Sequence, residues 1–307
     1  MNTSNKTKKI AVVTGGAGFI GSHLVAELLA EGYQVRVVDN LSGGKREKVP
    51  SGAEFFEQDV SDTHALAPVM EGADYVFHLA ALPRVQDSIE RPLETNKVNV
   101  DGTLSVLKAA QDAGVSRVVY SASSAAYGDQ EVMPLTEDMP ANPKSPYGLQ
   151  KYIGELYCRL WNEIYGLQTV SLRYFNAYGS GASAEGAYAL VIARFLQQRV
   201  EGKPMTITGD GTQTRDFAHV RDVVRANLLA AQSEKVGKGE VINIGAGKNN
   251  SIVEVAELIG GPIEYVPARL EPHDTLADAS LAQELLGWKA EVSLQQGIAE
   301  LRKEFNL

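Results

Sequence analysis

The sequence lacks several features on which common protein classes depend. Its 307 residues contain one cysteine, Cys158, which excludes an internal disulfide and a cysteine-rich zinc site. Its five histidines show no metal-ligand spacing, so we expect no metal. No run reaches about 18 apolar residues and no signal-peptide stretch is present. We therefore expect no membrane segment and a cytoplasmic location.

Positive charge is also in short supply. Lysine and arginine total 29 against 38 aspartates and glutamates, which gives a formal net charge of -9. This balance argues against binding to nucleic acid or to an anionic membrane. Hydrophobic residues make up 44% of the chain and charged residues 22%, which are ordinary values for a folded globular protein. The composition therefore favours a protein that handles a small molecule.

The first half alternates short β-rich runs with longer helical patterns, which predicts a parallel sheet flanked by helices. The β-rich runs are 10–14, 34–39, 53–59, 75–80, 117–121 and 168–173. The helical patterns are 20–31, 62–70, 99–113 and 147–165. Beyond Asn176 the pattern becomes irregular, and a helix at 220–232 and a strand at 241–245 then return. We expect a doubly wound α/β domain over 1–176, rejoined by about 218–246, and a smaller, discontinuous α/β C-terminal substrate domain over 177–217 and 247–307.

A glycine-rich segment, Thr14–Gly21, follows the first predicted strand and opens a helix. Glycines at 15, 18 and 21 permit a tight turn, the close approach of a pyrophosphate and helix–strand packing. The helix N-terminus offers free N–H groups to phosphates. Asp39 lies 18 residues after Gly21, where an acid would hold ribose hydroxyls and repel the extra phosphate of NADP. An ordinary turn and a solvated acid are the alternatives, but the context favours a Rossmann-like site for NAD.

A second motif pairs Tyr147 with Lys151, which share one face if the segment is helical. An ammonium near a phenol lowers the pKa of the phenol, and a tyrosine tuned in this way can take a proton from a sugar hydroxyl near neutral pH. Such a pair alone is usually without meaning. It gains force from the serines of 121–124 at the end of a predicted strand, where an open α/β sheet places reacting groups.

Together these motifs resemble the extended short-chain dehydrogenase/reductases, specifically the NAD-dependent epimerase/dehydratase branch and, within it, the UDP-glucose and UDP-N-acetylglucosamine 4-epimerases. The resemblance covers essentially the whole chain. Its further motifs are Asp59-Val60, Leu79-Ala80-Ala81, Asn99, Arg173-Tyr174-Phe175-Asn176 and Thr214-Arg215-Asp216-Phe217. It also implies a homodimer that forms through the helices around 88–113 and 147–165.

The resemblance implies roles at matching positions. Ser123 would donate to the reacting oxygen, Tyr147 would be the base, and Lys151 would bind the nicotinamide ribose. The NAD-binding residues would be Gly15, Gly18, Phe19, Ile20, Gly21, Asp39, Asn40, Asp59, Val60, Leu79, Ala80, Ala81, Asn99, Ser121, Tyr147, Lys151 and Tyr174. The substrate-binding residues would be Arg84, Ser123, Tyr147, Asn176, Val191, Thr206, Arg215, Arg269, Glu271 and Thr275.

The residues after Ser123 bear on the reaction. Members of the branch first oxidise the sugar at C4 and pass hydride to NAD. The 4,6-dehydratases then use an Asp-Glu pair, and the UDP-glucuronate decarboxylases keep the glutamate. In this chain Ser124 and Ala125 occupy the positions of the Asp-Glu pair. The methyl side chain of Ala125 cannot transfer a proton as the glutamate does. We therefore expect a UDP-hexose 4-epimerase with tightly bound NAD. The alternatives are a nucleotide-sugar decarboxylase or 4,6-dehydratase, and a non-catalytic NAD-binding regulator, which would not need Tyr147 and Lys151.

The choice of sugar depends on the C-terminal region. A bulky tyrosine there narrows the sugar pocket in related epimerases, and this chain has Thr275 at the matching position. We expect a wide pocket for UDP-GlcNAc and UDP-GalNAc, with UDP-glucose and UDP-galactose as a second pair. The segment 269–272 departs from the Arg-x-Gly-Asp motif that is usual in the family. The spacing from Arg269 to Asp278 is also one residue shorter than the family's spacing.

Overall fold

The computed structural model describes residues 8–184, 190–267 and 274–307. The strands are β1 (Ile10–Thr14), β2 (Gln34–Asp39), β3 (Glu54–Glu57), β4 (Tyr75–His78), β5 (Arg117–Ser123), β6 (Gln168–Tyr174), β7 (Met205–Thr208), β8 (Thr214–Asp216), β9 (Lys238–Ile244), β10 (Asn249–Ser251) and β11 (Ile263–Val266). The helices are α1 (Phe19–Ala30), α2 (Thr63–Met70), α3 (Val85–Glu90), α4 (Pro92–Asn96), α5 (Gly102–Asp112), α6 (Pro146–Tyr165), α7 (Val191–Val200), α8 (Val220–Gln232), α9 (Ile252–Ile259), α10 (Ser280–Leu286) and α11 (Leu294–Glu304).

Seven strands form one parallel sheet in the order β3-β2-β1-β4-β5-β6-β9. The chain builds the sheet outward from β1 to β3, then crosses to β4 and continues in the other direction. A sheet of this kind opens a crevice at the carboxyl ends of its strands where the order reverses, here between β1 and β4. The predicted fold class, a Rossmann-like doubly wound α/β sheet, is confirmed.

Local sequence explains why the longest helix begins and ends where it does. Ser145 caps α6 by accepting a hydrogen bond from the backbone N–H of Gly148 at 3.1 Å. Pro146 follows at the first helical position, where a missing N–H costs nothing. Gly166 ends the helix with a φ of 73°, in the left-handed region that glycine tolerates. Tyr147 therefore lies in the first turn of α6, at the edge of the sheet where the crevice opens.

The apolar core divides into clusters on the two faces of the sheet and a third beyond it. One face is covered by α1 and α8, and the other by α2, α5 and α6. The third cluster draws its members from 178–217 and 252–301. A core of its own is what a second domain requires, and the predicted boundaries stay a prediction. Trp288 and the buried side of α10 join the first cluster, so that part of 247–307 packs on the large sheet.

The helix predicted over 99–113 begins later, at Gly102. A π-helical turn, Lys97–Asp101, precedes it and carries Asn99. Such turns are common at functional sites. The helices α3, α4, α7 and α9 to α11 were not predicted. Across the described ranges, no helix combines the length and the apolar character needed to cross a membrane.

Candidate active site

A cleft of about 1420 Å³ lies along the carboxyl ends of the central strands and extends towards β7 and β8. Most of the predicted site residues line it. They are Gly15, Gly18, Phe19, Ile20, Gly21, Asp39, Asn40, Val60, Leu79, Ala80, Ala81, Arg84, Ser121, Ser123, Tyr147, Lys151, Tyr174, Asn176, Val191, Thr206, Arg215 and Thr275. Asp59 and Asn99 are described but do not line the cleft. Arg269 and Glu271 lie outside the described residues.

The glycine loop after β1 packs backbone against backbone. Gly15 has a φ of 72°, and a Cβ there would lie 2.7 Å from the backbone nitrogen of Ala80. A Cβ on Gly21 would lie 2.2 Å from the carbonyl oxygen of Gly15. Gly18 caps α1 without a side chain, so no side chain covers the first N–H groups of the helix. A loop of this shape fits a dinucleotide pyrophosphate, which binds to backbone N–H groups and to the positive end of the helix dipole.

The Asp39 carboxylate is fixed at the end of β2, with 8% of the residue exposed. It accepts hydrogen bonds from the backbone N–H groups of Ala17 at 3.0 Å and Leu41 at 2.8 Å. The next residue, Asn40, donates from Nδ2 to Asp59 at 3.0 Å. A negative charge is therefore held rigidly at the end of the cleft next to the glycine loop. It suits ribose hydroxyls and opposes a phosphate.

Asp59 and Asn99 serve other backbone and side-chain groups instead of facing the cleft. The Asn99 amide is fully used: its oxygen accepts from the Leu82 N–H at 2.8 Å, and its nitrogen donates to the Leu82 carbonyl and to Gln150. Asp59 accepts from the backbone of Ser61 at 2.8 Å and from Asn40. Asn99 is buried and Asp59 is partly exposed, and direct cofactor contact by either residue stays a prediction.

Ser123, Tyr147 and Lys151 all line the cleft, and Ser123 hydrogen-bonds Tyr147. Ser123 ends β5, and Tyr147 and Lys151 lie one turn apart on α6. The Lys151 ammonium donates to the Ser121 carbonyl at 2.7 Å and lies 5.0 Å from the centroid of the Tyr120 ring. One of its three N–H donors is therefore committed to the sheet.

Burial is the largest influence on the pKa values of Tyr147 and Lys151. It raises the pKa of Tyr147 above its ordinary value of 10.0, and a hydrogen bond with Ser123 acts in the opposite direction. Burial also lowers the pKa of Lys151 to about 8, although the nearby Cys158 and Glu155 oppose the change. The expectation that Lys151 lowers the pKa of Tyr147 is not met by the chain alone, because loss of water favours the neutral form of each group.

The far end of the cleft is organised by Asp216, which is fully buried on β8. Its carboxylate accepts from the backbone N–H groups of Ala246, Gly247 and Ala277 at 2.6–3.0 Å. Burial raises the pKa of Asp216 to about 6, and these three bonds act in the opposite direction. Its carbonyl oxygen accepts from Asn176, so the residue joins several strands and loops close to the predicted substrate-binding residues Asn176 and Arg215.

Asn176 has a φ of 28°, an uncommon value for a residue other than glycine. Its amide nitrogen donates to the Asp216 carbonyl at 3.0 Å and to the Thr275 hydroxyl at 3.3 Å. Thr206 on β7 is held by Gln198, which reaches both its hydroxyl and its backbone N–H. The structure thus brings Asn176, Arg215 and Thr275 together at one end of the cleft.

Several polar side chains that line the cleft were missed from the sequence. They include Ser42, Lys48, Gln86, Lys144, Arg194 and Gln213. Gln213 directly precedes the Thr214–Phe217 motif, and Ser42 follows Asp39 closely, so proximity to a motif could have found these two. The others lie in loops or on helices without a motif, and only the folded chain brings them to the cleft.

The sheet order, the glycine loop at the reversal of strand order and the Ser–Tyr–Lys group define a Rossmann-like, dinucleotide-dependent short-chain dehydrogenase/reductase. Residues 11–245 match the family described as "NAD dependent epimerase/dehydratase family", and the chain belongs to that family. NAD is the cofactor of the family, and the loop geometry above fits it.

Characterised proteins resemble the chain over nearly its whole length. A UDP-glucose 4-epimerase of Corynebacterium glutamicum is 36% identical over 297 residues, which are 91% of this chain and 90% of that protein. The crystal structure of a Thermotoga maritima UDP-glucose 4-epimerase with UDP-glucose has 38% identity and a TM-score of 0.91, and covers 96% of this chain and 99% of that one. A Methanobrevibacter ruminantium UDP-N-acetylglucosamine 4-epimerase, in complex with UDP-N-acetylmuramic acid, has 35% identity and a TM-score of 0.90, and covers 97% and 99%.

Proposed function

We propose that the protein is a UDP-hexose 4-epimerase that interconverts gluco and galacto epimers through a 4-keto sugar. The observation that carries the proposal is the meeting of Ser123, Tyr147 and Lys151 in a cleft whose glycine loop fits NAD. The similarity to UDP-sugar 4-epimerases over nearly the whole chain supports it.

In this mechanism Tyr147 takes the proton of the sugar O4 hydroxyl as the C4 hydrogen leaves with its electron pair. Ser123 accepts from the backbone N–H of Ala125 at 3.2 Å, and its hydroxyl, which hydrogen-bonds Tyr147, would donate to the reacting oxygen once the sugar is bound. After the keto sugar turns over in the cleft, C4 regains hydride on its other face and Tyr147 returns the proton to O4. Both bonds that break in the first half are remade in the second, so no external oxidant is consumed.

The proton step requires a phenolate, which burial of Tyr147 disfavours. Lys151 anchors one N–H on the Ser121 carbonyl, and its remaining donors can hold a ribose hydroxyl and stabilise the phenolate. Bound NAD supplies the hydride acceptor and a positive ring that adds to this stabilisation. The Tyr147–Lys151 pair is therefore expected to act as a base only in the loaded enzyme.

The competing reactions need an acid or base that the cleft does not place beside Ser123. Ser124 and Ala125 form the short 3-10 turn after β5 and line the cleft. Among the described lining residues the carboxylates are Asp39, which is bound to backbone N–H groups, and Asp129, which is exposed. This arrangement disfavours dehydration and decarboxylation. A purely regulatory role is disfavoured because a regulator would not need Tyr147 and Lys151.

We further propose that UDP-GlcNAc and UDP-GalNAc are substrates, with UDP-glucose and UDP-galactose as a second pair. Thr275 places a small side chain at the cleft, and its hydroxyl is held by Asn176. A small residue leaves room for an N-acetyl group. The similarity to epimerases named for UDP-glucose and for UDP-N-acetylglucosamine supports both pairs.

The decisive experiment is incubation of the purified protein with UDP-GlcNAc and with UDP-glucose in separate reactions, with NMR of the products. The 4-epimer should form without added oxidant. Tyr147→Phe should lose at least about 100-fold in kcat, since general base catalysis contributes that much. Tyr152→Phe on the same helix is the matched control and should keep activity. Dehydrated or decarboxylated product would contradict the proposal, and refusal of the acetylated sugar would contradict the wide pocket.

We also propose that the protein forms a homodimer through α3, α4 and α6. These helices expose large apolar side chains, which are costly to leave in water. They are Val85, Ile89, Leu93, Leu149, Leu156, Leu160, Ile164 and Tyr165, with Leu93 being 86% exposed. Ile164→Glu should convert the dimer to a monomer in light scattering, while Val200→Glu, at an equally exposed site on α7, should not. A monomeric unsubstituted protein would contradict this proposal.

A further inference from the structure

A line of buried polar side chains runs from the glycine loop to the catalytic helix, behind the wall of the cleft. Each member is at most 3% exposed and is hydrogen-bonded to its neighbours. We call it the buried polar line, and its members in order are Thr14, His78, Thr103, Asn99, Gln150 and Thr95. Buried polar groups are costly unless each is satisfied, so a complete line of this length restricts the geometry of everything attached to it.

The partners of His78 determine which way its hydrogen bonds run. The Thr14 hydroxyl oxygen accepts from the Ala80 N–H at 3.2 Å, so its proton is free to donate to His78 Nδ1 at 2.7 Å. On the other side the Thr103 hydroxyl donates to the Asn99 carbonyl at 2.7 Å, so His78 Nε2 must be the donor over 3.0 Å to Thr103. Only the neutral ring protonated at Nε2 satisfies both threonines.

The surroundings of His78 agree with a neutral ring. Burial lowers the pKa of His78 to about 3, and the Lys151 ammonium acts in the same direction. The Tyr120 ring packs beside it at 5.7 Å between centroids. His78 is thus a fixed spacer with a donor on one side and an acceptor on the other, and it does not titrate in the physiological range.

One end of the line controls the cofactor side of the cleft. The Ala80 N–H that Thr14 holds belongs to the segment Leu79–Ala81, which lines the cleft. Gly15 of the glycine loop packs against the same peptide group, where a Cβ would come within 2.7 Å of the Ala80 nitrogen. A small shift of Ala80 would therefore change the space between the loop and the end of β4.

Near its other end the line reaches α6 through Gln150. Asn99 holds both backbone groups of Leu82 and donates to Gln150 at 2.8 Å. Gln150 directly precedes Lys151 on α6 and lies within the turn that begins at Tyr147. Hydrogen bonds thus connect the loop that fits the cofactor to the helix that carries the proposed base, with one link made through the backbone of Asn99.

We propose that His78 and Thr103 are positioning residues for the hydride and proton steps, although neither lines the cleft. They set the distance between the NAD-binding edge of β1 and β4 and the Tyr147–Lys151 turn of α6. The catalytic part of this proposal rests on the proposed epimerase function, whereas the part concerning NAD rests on family membership and the loop geometry alone. A misplacement of about 1 Å can cost about 100-fold in rate, so a remote spacer can matter to catalysis.

The test removes one hydroxyl that does not line the cleft. Thr103→Val keeps the shape of the side chain but can neither accept a hydrogen bond from His78 nor donate one to the Asn99 carbonyl. Thr103→Ala removes the same hydroxyl and leaves a smaller side chain. Thr103→Ser retains the hydroxyl and should restore function. Ser105→Ala is the matched control, because Ser105 lies on the same helix and its buried hydroxyl bonds Thr63 at 2.9 Å, outside the line.

The measurements are NAD loss from the purified holoenzyme during dialysis, kcat and KM for the UDP-sugar, and Tm. We expect Thr103→Val and Thr103→Ala to release NAD about tenfold faster and to lower kcat about tenfold, with KM within twofold. Ser105→Ala should lower Tm comparably while NAD retention and kcat stay within twofold. The proposal is wrong if the Thr103 variants behave like Ser105→Ala, or if both fail to fold while Ser105→Ala folds. NAD retention is read even if no epimerisation is found, so failure of the two proposals can be told apart.

Discussion

Glu155 and Arg173 form a buried ion pair that joins α6 to the sheet. Arg173 Nε lies 2.8 Å from Glu155 Oε1, and Nη2 lies 2.7 Å from Oε2. The two side chains are 1% and 4% exposed. The guanidinium also lies 4.3 Å from the centroid of the Tyr127 ring. Since Glu155 is one turn beyond Lys151 on α6, the pair holds the lysine-bearing part of the helix against β6.

Glu155→Gln should therefore be strongly destabilising. It leaves the Arg173 charge buried and uncompensated, which costs about 3–5 kcal/mol in comparable pairs. The free energy of unfolding from urea titration measures the loss. Glu300→Gln is the control, because its pair with Arg221 is about half exposed and should contribute at most about 1 kcal/mol. Equal losses in the two variants would contradict the assignment.

Lys151, the proposed partner of the base, should lower the stability of the folded protein. The pKa of Lys151 falls from 10.5 to about 8 on burial, so below pH 8 the folded protein carries a charge that it disfavours. Lys151→Met should abolish most activity and raise the free energy of unfolding at pH 7 by about 3 kcal/mol. Because the unfolded chain holds the proton up to about pH 10.5, the advantage should shrink as the pH rises from 8 to 10.5. Thermal unfolding of both proteins at several pH values measures this difference in stability. A Lys151→Met variant that is less stable than the unsubstituted protein at pH 7 would contradict the prediction.

The sequence predicts those features of the fold and the site that are encoded by adjacent residues. The strands of the large sheet and the loop Thr14–Gly21 carry their signals in adjacent residues, and both were predicted. The depressed pKa of Lys151 was not, because it arises from burial by distant elements. The resemblance predicts Asn99 as a cofactor ligand, and that role stays a prediction. The π-helical turn that directs its amide to Leu82 and Gln150 was not predicted. The path of a backbone through such a turn is set by tertiary packing.

The discrimination between dinucleotides should depend on the charge of Asp39. The unsubstituted protein should bind NAD at least about tenfold more tightly than NADP, because the fixed carboxylate would face the extra phosphate. Asp39→Asn keeps an oxygen for one of the two backbone N–H groups and removes the repulsion, so the ratio of the two Kd values should fall. Calorimetric titration with each cofactor measures both constants. Tighter binding of NADP by the unsubstituted protein would overturn the assignment of NAD.

The last prediction concerns the glycine loop. Gly21→Ala would place a Cβ 2.2 Å from the Gly15 carbonyl oxygen and 2.8 Å from the Gly16 Cα. Both contacts are with backbone, which cannot rotate away as a side chain can, so α1 must move away from the loop and the N–H groups at its start move with it. NAD retention after dialysis should fall at least about tenfold. Gly43→Ala is the control, since Gly43 also lines the cleft but has no atom within 4 Å of its Cβ position. If Gly21→Ala retained NAD as well as Gly43→Ala, the close packing of the loop would not be what shapes the pyrophosphate site.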